Sequence, residues 1–453
     1  MMLASRHLLR RVSPWLGLRL NLLPASRIVS SKLLHASSTY KREVSMGGDN
    51  GHVSMEETQA NIQDPVATVS SVLLLPSTAM MQIEWRSGGT DMFPYVWLRD
   101  NCQCPACFHP VSRSRSLTLA HLNLSVTPST TQVSEDGGGV EVEWSDGHLS
   151  AYPATWLRLR AFNTHQQQLR ASTIRLKEAL WGCELSENLP EASFPELLED
   201  DRALLRFLQQ LEVVGLVFVT DTPTQQGQIH RLAHRVTNIK KTNYGETFLV
   251  HNKPDPNNLA YTSVNLDMHC DLPYMAYKPG VQLLHCISQF PGPGGSNMFA
   301  DSFHGGKILR SLHPLKFNIL ASTPVDFIDV GVEDDQEYHF INQEPLISVH
   351  NDGEMKTVNL NNMVRDSFFR VPPREVNGWY EALLTFRDIL YDPQNCITYK
   401  MKAGDMVIFD NLRVLHGREG FPPGEGERLL EGCYWDWDGV RSRRRVLQSK
   451  LLT

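Results

Sequence analysis

No stretch of the 453-residue chain approaches the roughly 20 consecutive apolar residues that a membrane-spanning helix requires. With 41% hydrophobic and 21% charged residues, the composition is that of a soluble globular protein. An even cysteine framework is also missing. Of Cys102, Cys104, Cys107, Cys183, Cys270, Cys286, Cys396 and Cys433, three crowd into one short segment and the others stand singly in apolar stretches. That pattern excludes a disulfide-stapled secreted domain and leaves thiols or metal ligands. There is no Gly-x-Ser-x-Gly elbow on which a serine hydrolase could rest, and no internal repeat is apparent. Acid is absent from one region: before Glu43 the chain carries Arg6, Arg10, Arg11, Arg19, Arg27, Lys32, Lys41 and Arg42 among leucines and serines. A basic, acid-free leader over residues 1–42 predicts a mitochondrial transit peptide and a matrix protein, against the alternative of a basic tail on a cytoplasmic one. Without those residues the formal charge falls from −7 to −15. So acidic a body opposes nucleic-acid binding, and no membrane partner is expected.

The length exceeds one comfortable hydrophobic core, so two folded domains are expected. Residues 43–67, rich in Glu, Gln and Asn, read as a flexible linker. Residues 68–185 predict a small β-rich domain followed, from residue 160, by a connecting helical segment. Met81–Trp85 and Val140–Trp144 alternate apolar with polar, as half-buried strands do. Residues 186–453 form the larger domain. It opens with a helix around Ala203–Glu212 and continues into strands at Val213–Val219, Val281–Ile287 and Asp405–Asp410, the last two following glycine turns. Many strands with few long helices favour a sandwich or jelly roll.

Two histidines and one carboxylate on one face of Fe(II) leave three positions open, enough for a bidentate oxoacid and for oxygen. His269-Cys270-Asp271 supplies two such ligands, because residues i and i+2 of an extended chain point the same way. His416, directly after the strand ending at Asp410, supplies the third. His350-Asn351-Asp352 is a rival copy, but it runs into Gly353 between two strand-like stretches and reads as a hairpin turn with its side chains in water.

Longer motifs carry a resemblance. Tyr95-Val96-Trp97-Leu98-Arg99-Asp100-Asn101-Cys102, Asn258-Leu259-Ala260-Tyr261-Thr262, Gly280-Val281-Gln282-Leu283-Leu284-His285-Cys286 and Phe409-Asp410-Asn411-Leu412-Arg413-Val414-Leu415-His416-Gly417-Arg418 closely resemble the γ-butyrobetaine dioxygenase and trimethyllysine dioxygenase family, from about residue 80 to about residue 448. The resemblance implies a double-stranded β-helix (jelly-roll) catalytic domain, Fe(II) on His269, Asp271 and His416, 2-oxoglutarate as co-substrate, ascorbate as reductant and a homodimer. It places the 2-oxoglutarate side-chain carboxylate on Arg428, whose planar fork suits a carboxylate. It also implies an aromatic cage of Tyr244, Phe248, Tyr261 and Tyr434 for a quaternary ammonium, which has no proton to donate and is held by ring faces. Two positions depart from the family: Phe248 stands where tryptophan is common, and Leu272 where the mammalian butyrobetaine enzyme has tyrosine.

Asn258 separates the branches. The trimethyllysine enzymes carry an acid at the matching position, which suits an α-ammonium, whereas Asn258 and Asn361 suit a substrate presenting only a carboxylate. The reading is therefore hydroxylation of γ-butyrobetaine at C3 to L-carnitine, with succinate and carbon dioxide released. Trimethyllysine hydroxylation, which the leader favours, is the alternative, and a catalytically silent, zinc-stabilised interaction protein is the alternative of another class. Cys102, Cys104 and Cys107 offer three thiolates to a structural zinc. Of the possible fourth ligands, His109 is too close to Cys107 and His121 reads as part of a strand face, while His148 matches the family's zinc-binding histidine.

Overall fold

The computed structural model describes residues 67–252, 259–333, 335–422 and 428–451. The expected leader, the linker as far as residue 66, and Asn258 lie outside the described residues. The N-terminal part is two three-stranded antiparallel meanders, Val69–Leu75 with Met80–Trp85 and Thr90–Pro94, and Pro128–Val133 with Gly139–Trp144 and Leu149–Pro153. Alternation dictates their faces. Met81, Ile83 and Trp85, and likewise Val140, Val142 and Trp144, are buried, while Glu84, Glu141 and Glu143 are exposed. Both meanders contribute to one core containing Val69, Phe93, Tyr152 and Leu157.

The expectation of no internal repeat is wrong. Glu84, Trp85, Gly88, Pro94, Trp97, Leu98 and Arg99 recur in the same order and at the same spacing as Glu143, Trp144, Gly147, Pro153, Trp156, Leu157 and Arg158. Each copy folds as strand, strand and short helix, the helices being Tyr95–Asp100 and Ala154–Arg158, each preceded by its proline. The indole Nε1 of Trp85 donates to Asp91 Oδ2 at 2.7 Å, and that of Trp144 donates to Ser150 Oγ at 2.9 Å, six residues on in each case. The pairing between copies is crossed: Arg99 meets Asp146 at 3.0 Å, and Arg158 meets Asp91 at 3.0 Å. A second correction concerns His121. Leu119–His121 is a short 3-10 turn, with Leu119 exposed and Thr118 Oγ1 2.9 Å from His121 Nδ1. The segment belongs to no strand among the described residues, so the alternating leucines form no strand face.

The connecting helix, Thr164–Ile174, is capped by Asn163, whose side chain accepts from the Gln166 N–H. Beyond it two sheets face each other. The larger runs in the order Thr247–Val250, Leu429–Trp435, Val281–Ser288, Met406–Asp410, Leu216–Thr220, Glu191–Ser193. The smaller runs Leu266–His269, Val414–Arg418, Asn297–Asp301, Cys396–Tyr399. Phe218, Leu284, Val407, Phe409 and Leu430 of the first meet Phe299, Ile397 and Val414 of the second. The strands are apolar on both faces because helices cover the outer ones. Val217, Leu283, Ile408 and Trp435 pack on the helices Asp201–Val214, Gln228–Val236 and Trp437–Leu451. Met268, Ala300 and Leu415 pack on the helices Ser302–Leu312, Pro314–Ser322 and Pro373–Tyr391. This is the jelly roll that was expected, but with more helix, the longest being the 19-residue Pro373–Tyr391.

The predicted strand at Val213 starts later. The helix Asp201–Val214 ends at Gly215, which takes φ +81°, a left-handed conformation that glycine adopts without cost, and the strand is Leu216–Thr220. No helix among the described residues is long and apolar enough to cross a membrane.

Candidate active site

His269 ends one strand of the smaller sheet and is in register with His416 on the neighbouring strand, so the two imidazoles lie side by side with ring centroids 4.2 Å apart. His416 therefore sits inside the strand Val414–Arg418 rather than at the end of the strand before it. Asp271 completes the group. Its Oδ1 is 3.3 Å from His269 Nε2 and 3.8 Å from His416 Nε2, and the three ligand atoms lie within 4.8 Å of one another. The His269 Nδ1–H donates to the Asp267 carbonyl at 2.7 Å, leaving the Nε2 lone pair for a metal. Burial, then the charge of His269, push His416 down to about 3, so it is neutral at physiological pH. Burial alone would raise the Asp271 carboxyl, but the His269 hydrogen bond, the electrostatic pull of the imidazoles beside it and the Tyr434 hydroxyl hold it well below the usual carboxylate range. A carboxylate and two imidazoles form a donor set that fits Fe(II).

Three supports escaped sequence reasoning. Asn411 Oδ1 accepts from the Asp271 N–H at 2.7 Å, and its Nδ2 donates to the Asp271 and Pro279 carbonyls at 3.0 and 3.1 Å. Leu272, at φ +56°, turns the chain through a conformation that a residue with a Cβ rarely adopts. Tyr434 donates from its hydroxyl to Asp271 Oδ2 at 2.7 Å. Asn411 lies inside a motif that the sequence displays, but its side-chain direction has no linear signal. The rival at His350 is the expected hairpin turn. It joins Ile347–Val349 to Met355–Val358, with His350, Asn351 and Asp352 exposed and Gly353 at φ +86°.

Arg428 and Arg418 are both buried, and neither forms an ion pair among the described residues. Burial, then the charge of Arg428, push Arg418 down to about 10, and burial does the same to Arg428. The Arg418 terminal nitrogens donate to the carbonyls of Ala260, Thr262 and Val264, and the Nε of both arginines has no partner among the described residues. Two desolvated guanidiniums without an acid call for an anionic ligand. The dicarboxylate 2-oxoglutarate fits that need.

Tyr244, Phe248, Tyr261 and Tyr434 line one cavity together with His269, Asp271, Leu272, Tyr274, Asn361, Met363 and Val364. Phe248 stacks on Tyr434 at 5.3 Å and lies 6.2 Å from Tyr244. Gly432 is in register with Phe248, and a Cβ at Gly432 would collide with the Phe248 ring. Asn361 Nδ2 donates to the Cys270 carbonyl at 3.0 Å, and its Oδ1 accepts from the Met363 N–H, which secures the chain between the two ligands of that segment.

In the small domain, His148 Nε2 lies 3.3, 3.5 and 3.5 Å from the sulfurs of Cys102, Cys104 and Cys107. Roughly 3.5 Å is the edge of a tetrahedron with Zn–S near 2.3 Å and Zn–N near 2.0 Å, so this cluster could hold zinc. Its thiols follow the helix of the first sequence copy, and its histidine sits in the hairpin turn of the second. Arg99 Nη1 donates to Cys107 Sγ at 3.4 Å.

Comparison with known proteins agrees with this geometry. Residues 174–434 match the family described as "Taurine catabolism dioxygenase TauD, TfdA family", and residues 73–158 match "Gamma-butyrobetaine hydroxylase-like, N-terminal". The chain is 36% identical to the γ-butyrobetaine dioxygenase of Homo sapiens, covering 85% of this chain and 98% of that one. It is 34% identical to the γ-butyrobetaine dioxygenase of Pseudomonas sp. (strain AK-1), covering 81% and 94%. With the mitochondrial trimethyllysine dioxygenase of Rattus norvegicus the identity is 31%, covering 78% and 82%.

Proposed function

Because the chain belongs to the taurine catabolism dioxygenase TauD, TfdA family, we propose that it is a 2-oxoglutarate-dependent dioxygenase that hydroxylates γ-butyrobetaine at C3 to L-carnitine, releasing succinate and carbon dioxide. The observation that carries the substrate is the lining of the cavity. Five aromatic side chains, Tyr244, Phe248, Tyr261, Tyr274 and Tyr434, line it, and among the described residues lining it the sole acid is the metal-facing Asp271. A trimethylammonium group is held there by ring faces and shape. Phe248 is a weaker partner than tryptophan for a cation, so the cage holds its ligand less tightly than a tryptophan-walled one.

His269, Asp271 and His416 hold Fe(II), and Arg428 takes the far carboxylate of 2-oxoglutarate. The bound metal supplies oxygen activation coupled to decarboxylation of the oxoacid. The protein's own contribution is placement: the cage fixes the ammonium end so that one carbon of the chain faces the metal. Asn258 and Asn361 receive the substrate carboxylate in this reading. Asn361 keeps one amide hydrogen for that task beyond its bond to Cys270. Zinc at Cys102, Cys104, Cys107 and His148 is structural, ascorbate serves as reductant, the active species is a homodimer, and the leader directs the chain to the mitochondrial matrix. The alternative substrate is trimethyllysine, the substrate named for a relative at lower identity. Its α-ammonium would need a counter-charge where the sequence has Asn258.

One competition assay decides between them. Purified protein given 2-oxoglutarate with both cations should convert γ-butyrobetaine preferentially, with succinate rising in step. Succinate formation indifferent to γ-butyrobetaine would end the proposal, and preferential hydroxylation of trimethyllysine would replace it with the alternative.

A further inference from the structure

Asp271 is held at almost every point by its backbone. Asn411 takes its N–H and its carbonyl, Asn361 holds the carbonyl of the preceding Cys270, and Leu272 at φ +56° fixes the direction in which the chain leaves. The freedom that remains is rotation of the carboxylate, which decides whether one oxygen or two face the imidazoles. Tyr434 removes it. Its hydroxyl binds Oδ2 at 2.7 Å while Oδ1 faces His269 Nε2 at 3.3 Å and His416 Nε2 at 3.8 Å. The same side chain stacks its ring on Phe248 at 5.3 Å and lines the cavity.

We infer that Tyr434 is a positioning residue of the metal centre as well as a wall of the cage: its hydroxyl holds Oδ2 of Asp271 so that Oδ1 alone is offered to the metal. One rigid, buried ring thus touches both the ligand's cation and the metal's carboxylate. The hydroxyl acts whether or not the cage is occupied, so this part of the inference is independent of the substrate's identity. The cage part rests on the substrate reading above.

The test compares the full chain, stripped of metal, with Tyr434→Phe and Tyr244→Phe. Tyr434→Phe keeps an aromatic face and loses the hydroxyl. Tyr244→Phe loses a hydroxyl from the same cavity, one that bonds the hydroxyls of Tyr274 and Tyr338. Titration with Co(II) in the absence of any substrate should show Tyr434→Phe binding about ten-fold or more weakly, the usual loss when a partner of a metal ligand is removed. Its visible Co(II) absorption should also change, because the carboxylate is free to turn. Tyr244→Phe should match the parent in both readouts. Calorimetric titration with γ-butyrobetaine, with metal and 2-oxoglutarate present, should show Tyr434→Phe within about three-fold of the parent, since the ring face remains. Parent-like Co(II) affinity and absorption in Tyr434→Phe would overturn the inference, as would equal changes in Tyr244→Phe. Failure of the parent to bind γ-butyrobetaine would overturn the substrate reading instead, and the Co(II) comparison would still decide the role of Tyr434.

Discussion

At the scale of single residues, the site is defined by charges that lack partners. Arg428 carries a desolvated guanidinium whose Nε has no partner among the described residues, which in the proposed reading is answered by the carboxylate of 2-oxoglutarate. Replacing it with methionine keeps the volume and removes the fork. The KM for 2-oxoglutarate should rise about 100-fold, in line with the 2–5 kcal/mol lost when one member of a buried charge pair is deleted. Steady-state kinetics in 2-oxoglutarate checks this, and a change below three-fold would move the co-substrate elsewhere. His269, Asp271 and His416 are legible in the sequence because an i, i+2 pair in an extended segment has a fixed geometry and because long motifs surround the distal histidine. Asn411 and the hydroxyl of Tyr434 are not legible as supports of Asp271, which lies 140 and 163 residues away from them in the chain. Their roles depend on side-chain directions that only the packed sheets determine.

At the scale of elements, the strands with one face in water and the helix Asp201–Val214 over the larger sheet were readable, and the helices over the smaller sheet were not. Met81–Trp85 and Val140–Trp144 alternate and fold as strands. By contrast, Pro314–Ser322 and Pro373–Tyr391 cover the smaller sheet, and the sequence reading assigned neither. Each buries only a narrow stripe, Phe317 and Leu320 in the first and Trp379, Ala382, Phe386 and Leu390 in the second, and a stripe that sparse gives a weak periodic signal. The cluster of Cys102, Cys104, Cys107 and His148 belongs to this scale, because it joins the end of one short helix to a hairpin turn. Removing zinc with a chelator, or changing Cys104 to serine, should lower the melting temperature of the small domain by roughly 10–20 °C, as a loss of a few kcal/mol does in a domain of this size. Circular dichroism with metal analysis reads both quantities. Fresh protein containing iron but no zinc would contradict the assignment.

At the scale of the whole molecule, one ion pair ties three parts of the chain together. Arg413, on the edge of the jelly-roll interior, pairs with Asp301 at 2.8 Å and donates to the carbonyls of Val213 and Ala179. Asp301 in turn accepts from the N–H groups of Trp181 and Phe303. The connecting segment, the N-terminal helix of the jelly roll and the smaller sheet thus meet at a single buried pair. Arg413→Met should cost about 3–5 kcal/mol, because it leaves Asp301 charged and buried. Denaturant midpoints measure it, and a loss under 1 kcal/mol would show that the backbone donors around Asp301 suffice. The doubled motif of the small domain has a consequence on the same scale. Each copy sends its arginine across to an acid of the other, so neither half carries a complete set of partners. The domain is in effect a dimer written into one chain. Its halves are unequal where the cysteines meet the second copy, because His148, beside Cys102, Cys104 and Cys107, occupies the place that Gly89 holds in the first.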